Sequence, residues 1–352
     1  MRETIIFQLI RIIVLGGLST LFSFLVSGPL LNFLKKHNIF KHIRQDPNAP
    51  IFMSIHKKKE GTPTTAGVLI WGTTFLFAVV FLFLSYFADG IWSYFNFISR
   101  QETVLILGAM AIAALVGLMD DLLGVYGIGN FGGGLGAKFR VMIYIFLGLL
   151  ASLWFWYKLE WDVVFVPFKG LVHLGVWFIP FFIFIFVACA FSMNETDGLD
   201  GLSAGVSFIA LAAYIIIAFL QGRFNLAALL AVVIGSLLAY LWRNMYPAEF
   251  FMGDTGIMTL GVLFGILAMY TNTALFLPLL LLIPFIESLS VIIQKAYKKL
   301  FKKKLFLSTP IHHHFEALGW PETRVTMRFW MIEAAGVALG LMLYLLNILL
   351  AS

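Results

Sequence analysis

Residues 172–219 read VHLGVWFIPFFIFIFVACAFSM, then NETDGLDG, then LSAGVSFIALAAYIIIAF. The two outer segments are apolar over close to the roughly 20 residues that a helix needs to cross a bilayer. The connector between them carries Glu195, Asp197 and Asp200 beside two glycines. This stretch therefore predicts two membrane helices joined by an acidic turn.

Apolar runs of similar length recur along the whole chain of 352 residues. Hydrophobic residues make up 61% of the sequence and charged residues 12%, where a soluble domain has roughly 25% charged residues. We predict an all-α, polytopic integral membrane protein that forms a single transmembrane domain over residues 1–352. Its ten predicted spans are 12–34, 67–87, 103–119, 139–157, 172–193, 202–219, 225–242, 255–270, 274–294 and 329–350.

The first span does not have the features of a cleaved signal peptide. It is longer than a signal-peptide core and has no clear small-residue cleavage site, so we expect it to be retained. The single cysteine, Cys189, lies inside an apolar run, which excludes a disulfide framework.

Basic residues are distributed unequally between the two sets of loops. The loops after even-numbered spans, with the two termini, hold only six of the 24 Lys and Arg residues: Arg2, Arg11, Arg100, Lys158, Lys169 and Arg223. Basic loops stay on the cytoplasmic side of a membrane. This bias predicts cytoplasmic loops after the odd-numbered spans and both termini on the periplasmic side.

The acidic residues and histidines follow the same division. Asp120, Asp121, Asp197, Asp200, Asp254 and the run 312–314 (HHH) all fall on the predicted cytoplasmic side. Carboxylates at the ends of apolar helices are costly unless cations offset them, so their convergence indicates a functional site. We predict an active-site cleft on the cytoplasmic face.

The first motif pairs two carboxylates at the end of the third span. Asp120 and Asp121 have the chemistry to hold a divalent cation, or to divide metal binding and base catalysis between them. The alternative is a solvated helix end. A glycine-rich stretch, residues 127–136, leads from this pair to Lys138, which could reach a phosphate.

The second motif is the connector Asn194 to Gly201. If it forms a helical turn, Asp197 and Asp200 share one face, being three residues apart. The spacing differs from a calcium-binding EF-hand loop, and an ordinary connector has no need of three acids. This motif favours a functional role.

The third motif runs from Asn244 to Gly256 and contains Phe251 and Asp254. A carboxylate near a helix N-terminus is stabilised by the helix dipole, so Asp254 is either a simple cap or a site residue. Phe251 is either an interfacial anchor or a ring that stacks on a base.

The fourth motif, residues 310–322, contains His312, His313 and His314, which suit a metal or the oxygens of a diphosphate. The basic run 295–304 before it is more typical of a membrane anchor. Glu287, deep in the ninth span, has two interpretations: a functional acid, or a buried hydrogen bond to a neighbouring helix.

These four motifs, in this order, resemble the phospho-N-acetylmuramoyl-pentapeptide transferase family of the polyprenyl-phosphate N-acetylhexosamine-1-phosphate transferases. The resemblance covers nearly the whole chain, from residues 56–64 (HKKKEGTPT) to residues 328–330 (RFW). Shared signatures are residues 120–121 (DD), 194–201 (NETDGLDG) and 251–254 (FMGD), and the block 310–320 (PIHHHFEALGW) is specific to the muramoyl-pentapeptide branch.

The resemblance implies a bacterial inner-membrane enzyme of ten helices that depends on Mg²⁺. It implies transfer of phospho-N-acetylmuramoyl-pentapeptide from UDP-N-acetylmuramoyl-pentapeptide to undecaprenyl phosphate, which yields lipid I and UMP for peptidoglycan synthesis. It also implies a homodimer, and we expect no nucleic-acid partner.

The resemblance also carries over a role for each matching residue. Asp120, Asp121, Asp254 and His313 match catalytic positions, and Asp254 together with Asp121 would hold the metal. Phe251 would stack on the uracil. The other matching positions bind nucleotide or diphosphate: Lys59, Lys138, Asn194, Asp197, Asp200, Asn244, His312 and His314.

Four positions depart from the family pattern. Phe191 replaces an Asn, Glu195 replaces a Leu, and Gly124 stands where a Lys is common. Where the family has Thr-Met-Gly-Gly, this chain has residues 64–67 (TTAG). No departure removes one of the matching aspartates.

The motifs suggest a mechanism in which the lipid phosphate attacks directly, with Asp120 available to remove its residual proton. A two-step route through an aspartyl-phosphate is the alternative. Two other functions remain open at this stage: a sister enzyme that uses another UDP-N-acetylhexosamine, and a secondary transporter, which would place its acids near the bilayer midplane.

Overall fold

The computed structural model describes residues 2–41, 59–87, 90–100, 102–129 and 133–351. Within these residues the chain is predominantly helical. In chain order the helices are α1 Arg2–Lys36, α2 Val68–Phe87, α3 Ile91–Phe95, α4 Val104–Val125, α5 Ala137–Lys158, α6 Phe178–Thr196, α7 Leu202–Leu220, α8 Phe224–Asn244, α9 Gly253–Tyr270, α10 Leu277–Leu280, α11 Leu282–Phe301, α12 Ile311–Ala317 and α13 Glu322–Ala351.

The helices agree with the predicted spans in position, and nine or ten of them qualify as membrane spans in the part of the chain that the structure describes. Among the described residues, nine helices are long and apolar enough to cross a membrane, and a bent pair from 274 to 301 makes a tenth. The shortest predicted span, 255–270, is α9. The third span continues beyond its predicted end at 119, because α4 runs to Val125 and carries Asp120 and Asp121 within the helix.

The ninth span is broken, and its two parts meet at 91°. Pro284 explains the position of the break, because proline has no N–H for the carbonyl four residues earlier and its ring clashes with that carbonyl. The side chain of Glu333, on α13, compensates at the start of α11. Its Oε2 accepts the backbone N–H of Ile283 at 2.7 Å.

A two-stranded hairpin lies between α5 and α6, and the sequence pattern does not predict it. Strands β1 Val163–Val166 and β2 Gly170–His173 pair antiparallel, with Val163 opposite His173 and Val166 opposite Gly170. It is too short to change the all-α character of the bundle. The hairpin belongs to the same end of the bundle as Tyr270, the last residue of α9, because Phe165 donates its N–H to the Asn272 side chain.

Helix α9 is the centre of the bundle. Every residue from Gly253 to Tyr270 is buried except Asp254. Close approach to α4 depends on Gly117, where an added Cβ would overlap the backbone of Asp254 and Thr255. The core therefore brings the start of α9 directly against the carboxylates of α4.

Candidate active site

A cleft of about 420 Å³ opens at the end of the bundle where α4 and α6 end and α9 begins. All four predicted motifs meet there, the fourth through the start of α12. The predicted site residues that line it are Lys59, Asp120, Asp121, Asn194, Asp197, Asn244, Phe251, Asp254, His312 and His313. Segments that lie far apart in the chain therefore contribute to one cleft.

Asp121 joins α4 to the first turn of α9. Its Oδ1 accepts the backbone N–H of Asp254 at 2.8 Å, and its Oδ2 accepts that of Thr255 at 3.0 Å. These N–H groups have no acceptor within their own helix, and a carboxylate there also meets the positive end of the helix dipole. Asp121 is therefore a cap between helices, and it holds α9 in register with α4.

Asp254, which the sequence left open as a cap or a site residue, faces the cleft. Its Oδ1 accepts hydrogen bonds from the Nη1 of Arg140 at 3.1 Å and from the Nδ2 of Asn194 at 3.2 Å. The side chain is 21% exposed, whereas Asp120 beside it is fully covered. Asp254 is thus the most accessible carboxylate of the cluster formed with Asp120 and Asp121.

Arg140 is the cation at the centre of this cluster, and it is not among the predicted site residues. Its Nε lies 2.8 Å from the Oδ2 of Asp120, in addition to its contact with Asp254. The predicted phosphate ligand Lys138 is exposed and does not line the cleft. Two residues along a helix turn the side chain by roughly 200°. What distinguishes the two residues is their position around the helix: only Arg140 lies on the face of α5 that turns towards the cleft.

The connector between α6 and α7 is not a helical turn, so the predicted shared face of Asp197 and Asp200 is wrong. Helix α6 ends at Thr196 and α7 begins at Leu202. Asp197 lines the cleft and accepts a hydrogen bond from Ser203 at 2.8 Å. Asp200 is buried away from the cleft lining and accepts the N–H of Ala248 at 3.0 Å.

Lys59 lies at the side of the cleft near Asp200. Its ammonium contacts the carboxylates of Asp200, at 2.7 Å, and Glu322. Burial lowers the pKa of Lys59, but the charges of Glu322 and Asp200 raise it by more, so the net shift is upward. Lys59 is therefore a cation at any physiological pH.

Phe251 forms an aromatic surface beside this cation. The Nζ of Lys41 lies 5.1 Å from the ring centroid and that of Lys59 lies 5.9 Å from it. Asn244 fixes the nearby loops, since it accepts the N–H of Gly201 at 3.0 Å and donates to the carbonyl of Phe250 at 2.9 Å. A half-buried ring between cations suits a planar group that carries phosphate.

The three histidines of α12 have different surroundings. His312 and His313 are buried at the cleft, with Nδ1 of His312 3.0 Å from Glu287 and Nδ1 of His313 2.7 Å from Glu316. His314 lies outside the cleft lining, and its Nδ1 accepts the N–H of Leu307 at 3.2 Å. Glu287 therefore makes the buried hydrogen bond to a neighbouring helix that was one of its two interpretations.

Gly198 is required by the position of His312. A Cβ at Gly198 would overlap the Nε2 side of the His312 ring. The acidic connector and the histidine helix are therefore in direct contact, although 114 residues separate them in the sequence.

Of the positions that depart from the family pattern, Glu195 and Gly124 line the cleft and Phe191 does not. Glu195 adds a carboxylate within electrostatic range of Lys295 and Arg140. The backbone at Gly124 leaves space for a side chain. His56, the first residue of the Lys59 motif, lies outside the described residues.

The donor chemistry of the cleft suits Mg²⁺. Over the described ranges, no three His, Cys, Asp or Glu side chains form a ready-made metal site. Mg²⁺ usually binds through one or two carboxylates together with substrate phosphates and water. The partly exposed carboxylate of Asp254, with Asp120 and Asp121 beside it, meets that requirement.

Comparison with known proteins agrees with this geometry. Residues 103–272 match the profile of glycosyl transferase family 4. The phospho-N-acetylmuramoyl-pentapeptide-transferase of Chloroflexus aurantiacus is 33% identical over 98% of this chain and 93% of the relative. Those of Thermoanaerobacter sp. and Thermodesulfovibrio yellowstonii are 36% and 34% identical, over 90% and 94% of this chain and 93% and 90% of the relatives.

Identity of this order covers nearly the whole chain, and the four motifs meet in one cleft at the end of the helical bundle. The chain belongs to the phospho-N-acetylmuramoyl-pentapeptide-transferase family.

Proposed function

We propose that this protein transfers phospho-N-acetylmuramoyl-pentapeptide from its UDP carrier to a polyprenyl phosphate, undecaprenyl phosphate in the bacterial inner membrane. The products are lipid I and UMP. The observation that carries the proposal is the contact of Arg140 with both Asp120 and Asp254 in a cleft that His312 and His313 also line. Family membership names the substrates, and the cleft supplies the groups for phosphoryl transfer.

The chemical problem is to bring a phosphate nucleophile to a diphosphate, since both are anions. A phosphate monoester has a second pKa near 6, so the nucleophile is already largely ionised at neutral pH. The protein must therefore supply positive charge more than a base. We assign that charge to Arg140 at the carboxylate cluster and to Lys59 beside Phe251, because phosphoryl transfer depends mainly on positioning and electrostatics.

We propose Mg²⁺ as the cofactor, held by Asp254 with Asp121 or Asp120 beside it. When bound, the ion supplies charge neutralisation for the diphosphate and the departing UMP. Asp254 would be the principal ligand, because it is the exposed member of the cluster and both oxygens of Asp121 already accept backbone N–H groups.

The contacts of Asp120 favour direct attack by the lipid phosphate over an aspartyl-phosphate route. Asp120 accepts the backbone N–H of Leu135 and pairs with Arg140. A carboxylate held in this way orients the guanidinium and is poorly placed to act as a nucleophile. We therefore propose that Asp120 positions Arg140.

The nucleotide would occupy the side of the cleft that Phe251 and Lys59 form. The ring offers a stacking surface of about the size of a pyrimidine, with two ammonium groups around it. This arrangement leaves the diphosphate to reach towards Asp254 and Arg140. The prenyl tail can stay in lipid, because the cleft lies at the ends of membrane helices.

The test is UMP release by purified protein with Mg²⁺, undecaprenyl phosphate and UDP-N-acetylmuramoyl-pentapeptide. Asp254→Asn should lower lipid-dependent UMP release by at least roughly 100-fold, on the scale of losing one charged group at a phosphoryl-transfer centre. Asp162→Asn is the matched control, since Asp162 pairs with the exposed His173 at the hairpin.

The other outcomes separate the alternatives. Turnover with UDP-N-acetylglucosamine in place of the muramoyl donor would assign the chain to a sister activity with the same chemistry. Flux of substrate across vesicles without UMP release would identify a transporter and contradict the proposal.

A further inference from the structure

A second concavity, of about 300 Å³, lies at the other end of the bundle. We call it the far-end pocket; its lining is Trp161, Gln221, Arg223, Tyr270, Thr271 and Asn272. Asp254 and Tyr270 are at opposite ends of α9, whose 18 residues span roughly 27 Å. The far-end pocket is therefore separate from the cleft and takes no part in the proposed reaction.

Arg223 dominates this pocket. Its guanidinium carbon lies 4.5 Å from the ring centroid of Tyr270 and 5.4 Å from that of Trp161. Its Nε donates to the Oε1 of Gln221 at 3.0 Å. The stacked rings fix the plane of the guanidinium, and the fork of its terminal N–H groups is the part that can bind an oxyanion.

Among the described residues Arg223 has no ion-pair partner, unlike three other partly buried cations of the protein. Lys59, Arg140 and Arg243 each contact an acid within 4.0 Å, whereas over the described ranges Arg223 has no such contact. Arg11 has none either, but it is buried and its terminal N–H groups donate to Gln8, Asn96 and Asn225. Glu102 belongs to the same end of the bundle, but its carboxylate accepts the N–H of Leu226. A half-buried charge without an acidic partner is costly, and an external anion would offset that cost.

The level of the pocket along the bundle indicates which anion is available. Tyr157, in the last turn of α5, and Trp177, just before α6, are 73% and 72% exposed. Exposed aromatic side chains of this kind collect at the boundary between acyl chains and headgroups. The neighbourhood of Arg223 is therefore at the depth of lipid phosphates.

We propose that the far-end pocket binds the phosphate of a phospholipid headgroup. Arg223 donates to the phosphate oxygens, and the amide of Asn272 supplies a further donor, because its Oδ1 is already occupied by the N–H of Phe165. Trp161 and Tyr270 hold the guanidinium flat at the mouth of the pocket. The bound lipid would then fasten the hairpin to the loops that follow α7 and α9.

The test is lipid titration of the detergent-purified protein by native mass spectrometry, with phosphatidylglycerol compared with diacylglycerol of the same chains. The wild type should retain phosphatidylglycerol preferentially. Arg223→Gln should weaken that retention about tenfold, the scale of a charge-assisted hydrogen bond. Arg100→Gln, an exposed arginine of the same end, should bind as the wild type does.

Equal retention by wild type and Arg223→Gln would overturn the proposal. Inorganic phosphate is titrated as a third ligand; binding of inorganic phosphate that Arg223→Gln abolishes, without preferential retention of phosphatidylglycerol by the wild type, would overturn the assignment to headgroups.

A measurement on the wild type keeps the proposal testable if Arg223→Gln fails to fold. Hydrogen exchange with and without phosphatidylglycerol should show protection of backbone amides at 161–166, 221–226 and 271–273. Protection confined to other segments would contradict the proposal. Equal protection by diacylglycerol, which lacks the phosphate, would contradict it as well.

Discussion

Arg140 and Asp254 show how one contact determines what the site can do. Arg140 contacts both Asp120 and Asp254, so the guanidinium is fixed between two carboxylates at the edge of the cleft. Substrate phosphates that enter would meet a cation already held in place, which lowers the cost of ordering it during reaction.

Arg140→Gln should therefore lower lipid-dependent UMP release by roughly 100-fold or more, because it removes the fixed charge. Arg140→Lys keeps the charge without the fork and should retain more activity than the Gln variant. Steady-state rates of both are compared with those of Arg100→Lys, a surface exchange of the same type. Equal loss in the Gln and Lys variants would mean that geometry, and not charge, is what Arg140 contributes.

Glu322 is the last residue of the fourth motif, but no role was predicted for it and it does not line the cleft; it nevertheless holds Lys59. It accepts hydrogen bonds from the Lys59 ammonium and from the backbone N–H of Asp200. It thereby connects the start of α13 to the loop before α2 and to the connector after α6.

Glu322→Gln should raise the KM for the nucleotide donor by roughly tenfold, with a smaller effect on kcat, because Lys59 loses one of its two acidic partners. The sign of the pH effect follows from the raised pKa of Lys59. The charge of Lys59 is present at and below its usual pKa and is lost only as the pH rises through the higher folded value.

In Glu322→Gln the pKa of Lys59 should fall, so donor binding should begin to weaken at a lower alkaline pH than in the wild type. Glu60→Gln, an exposed neighbour, is the control and should match the wild type. A Glu322→Gln profile that superimposes on the wild type across alkaline pH would exclude this role.

At the scale of elements, the close packing of α4 on α9 positions the carboxylates. At Gly117 the backbones of α4 and α9 lie close together beside the site, and an added methyl group there would meet the backbone of Asp254. Backbone atoms cannot move aside as a side chain can, so α9 itself must shift.

Gly117→Ala should lower the free energy of unfolding by roughly 1–3 kcal/mol, the usual cost of overpacking. It should also lower activity, because the shift displaces Asp254. Gly108→Ala, in the same helix with no atom within 4 Å of the added Cβ, should leave both unchanged. The measurements are the thermal midpoint in detergent and UMP release. Normal activity in a destabilised Gly117→Ala variant would show that Asp254 tolerates the shift.

The helices could be predicted from sequence because their signal is local: about 20 apolar residues in a row satisfy the bilayer whatever the neighbours are. The break near Leu281 was missed, because a proline inside an apolar run also occurs in continuous membrane helices. The shared face predicted for Asp197 and Asp200 was wrong, since a loop between two helix ends has no fixed period. Arg140 was missed in favour of Lys138, because which face of α5 turns inward is set by packing.

At the scale of the molecule, the distribution of aspartates along the bundle is consistent with a lipid-linked reaction. Four aspartates line the cleft at one end, and every residue of α9 after Asp254 is buried. A transporter would need polar groups near the middle of the bilayer. The architecture instead suits an enzyme that works at the surface of the membrane on a substrate whose tail stays inside it.

The predicted orientation of the bundle rests on the charge bias, and the single cysteine makes it testable. Cys189 is buried, so the wild type should react little with a membrane-impermeant maleimide. Lys138→Cys places a thiol at the exposed start of α5, and Lys169→Cys places one on the hairpin at the other end of the bundle. Basic loops face the cytoplasm, so Lys169→Cys should label in intact spheroplasts and Lys138→Cys only in inverted vesicles.

If each variant is labelled from the opposite side, the orientation is the reverse of the predicted one. The cleft would then be out of reach of a cytoplasmic nucleotide donor, and both the topology and the proposed reaction would be contradicted.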